Sequence, residues 1–340
     1  MLLVCLLFFS IEQWMKLWYD RPAREWVEAL PIGNGRLGGM VFGSPTHERI
    51  ALNEDTLYSG EPLPVGVVDI KSTLDQVVGW LKSEEYERAH TYITQNWLGR
   101  CQQCYQPLGD LTIDFRPGDV RDYRRELDLD SAVCTTRYEK DGVQTVREIF
   151  VSYPSNVMVA LVTTSKPESV AVSLASPHPV ALAKADEQTV SMTGQVPGMV
   201  LRRELEVVEA AGHTAKYPEI WDANGERHPW ADRVLYGDAV DGKGTRFDAR
   251  IRILACDGEA VPGPDGIDVQ HASETVILLG ARTSFAGFDV SPSRTGKDPS
   301  PKVTADLDKL SSHTYESLLE LHREDHSGLM NRVTIDLGAS

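Results

Sequence analysis

Over most of the chain, hydrophobic and polar residues alternate with a period of two, the pattern of strands that bury one face. The clearest run is Arg246 to Ile253, with Phe247, Ala249, Ile251 and Ile253 on one face and Arg246, Asp248, Arg250 and Arg252 on the other. Ala132 to Lys140 and Val143 to Phe150 form a second example, joined at Asp141-Gly142, a dipeptide suited to the positive φ angles of a tight hairpin. Arg36 to Phe42, Ile50 to Asn53, Leu108 to Phe115, Val157 to Thr164, Val170 to Leu174 and Thr275 to Ala281 read as further strands. Many short strands without regular intervening helices predict antiparallel sheets packed as a sandwich.

Helical periodicity is confined to a few segments. Asp69 to Lys82 carries Ile70, Leu74, Val77, Val78 and Leu81 on one stripe, and Glu84 to Trp97 aligns Ala89, Ile93 and Trp97. Val303, Leu307, Leu310, Thr314, Leu318 and Leu321 predict one long helix, introduced by Pro299 and Pro301. That proline break places a domain boundary near residue 300. Val333, Ile335 and Leu337 then alternate as a strand. The expected fold is mainly all-β: a large antiparallel β-sandwich over residues 16–300, with a few helices and a C-terminal helical linker and strand over 301–340.

With 50 acidic and 34 basic residues among 340, the chain has a formal net charge of −16. It has no basic run, so a nucleic-acid or anionic-membrane surface is not expected. The apolar run Leu2 to Phe9 is far too short to span a bilayer and lacks the flanks of a signal peptide. Residues 1–15 read as an N-terminal extension or a mis-assigned start. Translation from Met15 implies a cytoplasmic protein, whereas residues 1–14 acting as a signal imply a secreted one.

Several motifs invite chemistry. Gly33 to Gly38 spells G-x-G-x-x-G, but Pro31 interrupts the approach and a strand rather than a helix follows, so Asn34-Gly35 reads as a hairpin turn. Cys101 and Cys104 form a C-x-x-C pair without the two further ligands a zinc site needs. His322 and His326 lie four apart, but the segment is not H-E-x-x-H; a solvated helix end or an interdomain contact is the expectation. Neither a metal nor any cofactor is expected. Asn53-Glu54-Asp55 places adjacent carboxylates on opposite faces of a strand end, which fits a side-chain-stabilised turn better than an acid–base pair.

Five segments carry a resemblance: Leu17 to Pro62, with its GNGRLGG and NEDT stretches; Tyr105 to Phe115; Tyr123 to Val133; Asp141 to Val159; and Ala281 to Pro299. Together and in order they resemble the N-terminal part of glycoside hydrolase family 95, whose activities centre on α-L-fucosides. The resemblance implies a β-sandwich, a helical linker and then an (α/α)₆ barrel that holds the catalytic carboxylates. It also implies inverting hydrolysis, in which acid and base stand about 6.5–9.5 Å apart to admit a water.

No position here matches the barrel motifs, so no catalytic residue is assigned, and the chain is expected to be inactive alone, with a fucosylated glycan and the barrel as partners. Asn53 and Glu54 are the candidates for reaching the barrel's mouth. Trp221 and Trp230 lie in an irregular stretch, where an exposed indole would stack on a sugar and a buried one would pack in a core. The competing functions are a free-standing carbohydrate-binding module and a sandwich used only for protein interaction.

Overall fold

The alternating runs do form strands in the computed structural model, which describes residues 15–63, 69–100, 103–333 and 335. In chain order the elements are β1 (Lys16–Tyr19), β2 (Leu30–Gly33), β3 (Leu37–Val41), β4 (His47–Glu54), α1 (Lys71–Lys82), α2 (Tyr86–Asn96), β5 (Gly109–Phe115), β6 (Val120–Asp128), β7 (Val133–Lys140), β8 (Val143–Ser152) and β9 (Val157–Ala175). There follow β10 (Val180–Lys184), β11 (Thr189–Gln195), β12 (Met199–Val200), α3 (Leu205–Ala210), β13 (Val234–Leu235), β14 (Arg246–Cys256), β15 (Glu259–Pro262), β16 (Gly266–Thr283), α4 (Ser300–Asp308) and α5 (Tyr315–Met330).

All the paired strands named in the register run antiparallel, and β9 is the branch point. Its first half pairs with β8 and its second half with β5, while β16 follows it along both. One arm runs β1-β6-β7-β8-β9-β16-β14-β11-β10, and the other continues from β5 through β4 and β3 to β2. The sequence pattern suggested two strands here, Val157 to Thr164 and Val170 to Leu174; they are one strand of 19 residues. The polar interval that mimicked a break is an exposed stretch of the strand, Ser165 to Pro167, opposite register shifts between Val269 and Glu274. Proline is tolerated at such an irregularity because no ladder donor is required there.

The two arms close over a common core. Ile32, Ile50, Leu52, Leu111 and Ile113 from one arm meet Ile149, Met158, Ile251 and Leu279 from the other. Close approach depends on Gly39, where a Cβ would stand 2.8 Å from both Ile50 Cγ2 and Met158 Cε. One ion pair also crosses the core: Arg147 Nη2 lies 2.8 Å from Glu48 Oε2, with both side chains almost wholly buried. Desolvation raises the Glu48 carboxyl affinity for protons, against the opposing pull of Arg147. At the predicted hairpins, Asp141 and Gly142 have φ of 50° and 76°, and Gly35 has φ of 88°.

The C-terminal helical periodicity is not one helix. It is broken after α4, and Thr314 caps α5 through a reciprocal capping box with Ser317. The hydroxyl-rich segment between them offers the backbone local partners that compete with a continuous helix. Both helices pack on the outer face of the longer arm, where Leu307, Leu310, Tyr315 and Leu318 meet Phe150, Val159, Val276 and Leu278. The polar face of β14 is therefore roofed rather than solvated: Ser300 Oγ donates to Asp248 at 2.6 Å, Arg250 Nη1 to Thr304 at 2.7 Å and Arg252 Nη1 to Asp308 at 2.9 Å.

His322 is likewise not at a solvated helix end. It stacks on Phe150 at 4.6 Å and donates from Nε2 to Ser131 O at 2.9 Å, and His326 makes the same bond to Leu129 O at 2.9 Å. These bonds direct the two Nε2 atoms to separate backbone carbonyls. Val333 and Ile335 are exposed and outside any assigned strand, while Leu337, residues 1–14 and Cys101 fall outside the described residues.

Two outcomes test this packing. Leu307→Ala should cost about 2–5 kcal/mol in chemical denaturation, against less than about 1 kcal/mol for the partly exposed Leu321→Ala; equal costs would contradict the docking of α4. Burial holds the rings of His322 and His178 below the ordinary histidine value. The unfolded chain then binds more protons, so stability falls as pH drops below about 6.5. Urea midpoints should decline from pH 7 to pH 5, and His322→Gln, which still donates to Ser131, should flatten the decline.

Candidate functional site

The hairpin joining β2 to β3 carries Arg36 to one end of the sandwich, and that side chain ties four segments together. Its Nη1 donates to Glu54 Oε1 at 3.1 Å and to Ala281 O at 2.8 Å. Its Nε and Nη2 donate to Asn156 Oδ1 and O at 2.7 and 3.2 Å. Asn34 locks the hairpin itself, its Oδ1 accepting from the backbone N–H of Arg36 and Leu37 while its Nδ2 donates to Ser152 O at 2.9 Å. Burial and the nearby Arg282 charge both lower the proton affinity of Arg36, with Glu54 opposing them.

Glu54 ends β4 almost fully buried. While one carboxylate oxygen takes Arg36, the other accepts from Thr56 N at 2.8 Å and Thr56 Oγ1 at 2.6 Å. The Thr56 hydroxyl also hydrogen-bonds that of Thr283 at the end of β16. Tyr105 donates to the Glu54 backbone oxygen at 2.9 Å, and burial followed by the Glu54 charge pushes its phenol up to about 12. Alongside, Arg282 Nε pairs with Asp306 Oδ2 at 2.7 Å.

Of these groups Asn34, Arg36, Glu54, Thr56, Arg282 and Thr283 line the floor of an open cleft of about 580 Å³. Its walls are Asp55, Tyr153, Phe285, Lys297, Asp298 and Lys302. Tyr153 and Phe285 are 66% and 41% exposed, large aromatic residues left open to solvent at the cleft. Phe285 is shared with an adjoining recess of about 470 Å³, bordered by Tyr58 and by Phe288, which is 88% exposed. Through Glu61 and Gln103 that recess meets a third, of about 320 Å³, lined by Arg100, Glu219 and Arg294.

The four residues singled out from sequence separate here. Glu54 lies in the floor of the cleft, its oxygens committed to Arg36 and Thr56. Asn53 is partly buried opposite Gly38 and does not line the cleft. Trp221 cannot offer a stacking face: it is 1% exposed in the core of the unit between β11 and β14, its indole N–H bound to Glu209 Oε1 at 2.9 Å. A substrate-stacking role for Trp221 is therefore corrected to core packing. Trp230 is 51% exposed, with one ring face stacked on His228 at 4.7 Å.

Sequence reasoning passed over Arg36, Tyr153, Arg282, Phe285 and the two lysines. For all but Lys302, which lies beyond the last block, the signal was their position inside the family-like segments: Asn34 to Arg36, Glu54 to Thr56, Tyr153, Arg282 to Phe285 and Lys297 to Pro299 come from three such blocks and meet at this one cleft. The paired floor yields a prediction. Glu54→Gln, which leaves the buried Arg36 charge uncompensated, should lower unfolding stability by about 3 kcal/mol. An unchanged denaturation midpoint would show that the pair does not hold the floor.

Residues 17–287 match the family model for the glycosyl hydrolase family 65 N-terminal domain. An Arabidopsis thaliana protein named alpha-L-fucosidase 2 is 28% identical over 332 residues, covering 96% of this chain and 37% of that protein. Two proteins bearing the name alpha-fucosidase A are 27% identical (Aspergillus niger, 98% of this chain and 39% of its relative) and 25% identical (Aspergillus oryzae, 98% and 43%). The chain thus spans 37–43% of the length of these relatives. A solved human-microbiome structure assigned as a kojibiose phosphorylase superposes with a TM-score of 0.44 at 8% identity, over 87% of this chain and 35% of its own. With four-fifths of its length inside the family model, the chain belongs to the glycosyl hydrolase family 65 N-terminal domain family.

Proposed function

We propose that this chain is the sandwich portion of an inverting hydrolase of terminal α-L-fucosides, and that it does not turn over substrate alone. The observation that carries the reading is the convergence of three family-like blocks on one cleft. The names of the relatives supply the sugar. The state of Glu54 supports inactivity of the isolated chain. An inverting acid must release a proton to the leaving group and an inverting base must bind water; both Glu54 oxygens are instead held by Arg36 and Thr56. The catalytic pair then belongs to an (α/α)₆ barrel partner, and a fucosylated glycan is the substrate.

Incubating the purified chain with an aryl α-L-fucoside should release no phenol above background. Enzyme-like turnover would overturn the reading. A polypeptide that joins this sandwich to its barrel should hydrolyse the same substrate and release β-L-fucose first by proton NMR; initial α-L-fucose would rule out inversion.

A further inference from the structure

We infer that the cleft between the β2–β3 hairpin and the start of α4 is a non-catalytic binding site for a neutral pyranose on the sandwich itself. The inference goes beyond the hydrolase reading and rests on it only for the choice of probe sugar. Its size, about 580 Å³, falls within the roughly 300–1,000 Å³ of small-ligand sites. The floor is electrically balanced and fixed: Arg36 is paired with Glu54 and Arg282 with Asp306, each through direct hydrogen bonds. A ligand therefore meets preset polar atoms at little ordering cost.

The walls decide the class of ligand. Lys297 and Lys302 line the cleft with no carboxylate ion pair among the described residues, and Asp55 and Asp298 line it too, one Asp298 oxygen accepting from Ser300 N at 3.1 Å and the other left as an acceptor. A simple anion would meet both aspartates and a cation both lysines. A sugar hydroxyl both donates and accepts, so it can use a carboxylate and an ammonium together. Tyr153 and Phe285 add what hydroxyls cannot use: exposed aromatic faces, matching the apolar C–H face of a pyranose. Mixed charge with aromatic platforms is the chemistry of an uncharged polyhydroxylated ring.

Saturation-transfer difference NMR on the full chain, with 2′-fucosyllactose as probe, tests the site. Transfer to ring protons is expected. Tyr153→Ala and Phe285→Ala should each weaken binding about five- to tenfold. Tyr153→Phe should retain binding, because the ring face is kept, and Trp230→Ala should leave it unchanged. Unaltered melting curves of these exposed-residue variants would separate loss of the site from loss of fold. Absence of transfer, undiminished binding by both Tyr153→Ala and Phe285→Ala, or displacement of the sugar by millimolar inorganic phosphate would each overturn the inference. Failure here leaves the hydrolase reading standing, since that reading is tested by turnover.

Discussion

The guanidinium of Arg36 is the fixed point of the candidate site. It reaches from the tip of one hairpin to the end of β4, the turn after β8 and the last residues of β16, and its donors are spread over all three. A lysine would supply one compact charge where this planar fork makes four bonds. Because the side chain is mostly buried, its charge needs Glu54, and because Glu54 answers it, that carboxylate is unavailable for proton transfer. Structure and chemistry are coupled at this point: the pair that builds the floor of the cleft also commits the carboxylate of Glu54, the candidate for reaching the barrel's mouth, to holding Arg36.

The site can be built there because β9 and β16 run through both halves of the sandwich. Both strands continue past the register shifts near Pro167, so one strand pair carries β8 along its first half and β5 along its second, and the ends of distant segments arrive at the same edge. The cross-core pair of Glu48 and Arg147 and the side-chain lattice beneath α4 use the same device on a larger scale. Charged residues that would suit an open surface are enclosed and answered by partners.

Much of this was legible in the chain. Period-two alternation located the long central strands β3 to β5, β7 to β9, β14 and β16 but not β1, β2, β6, β10 to β13 or β15, Asp141-Gly142 marked a hairpin, and the family-like blocks pointed to a sugar hydrolase. The exceptions share one cause. Alternation records which face of a strand is apolar, but not what later covers the polar face, so the roofing of β14 by α4 was invisible. A polar interval at Ser165 to Pro167 looks the same whether the strand ends or continues. His322 and Trp221 were ambiguous because local spacing cannot separate an exposed ring from one seated against Phe150 or held by Glu209. Arg36 and Phe285 lie 249 positions apart, and only the sheet topology brings them to one cleft.

The most direct measurement is a two-dimensional amide NMR titration of the labelled chain with a fucosylated oligosaccharide. The account predicts shifts gathered at the cleft, around Gly35, Asp55, Tyr153, Phe285 and Lys297, with the β10–β11 edge silent. Shifts centred on Trp230 and His228, or none at saturating sugar, would contradict it.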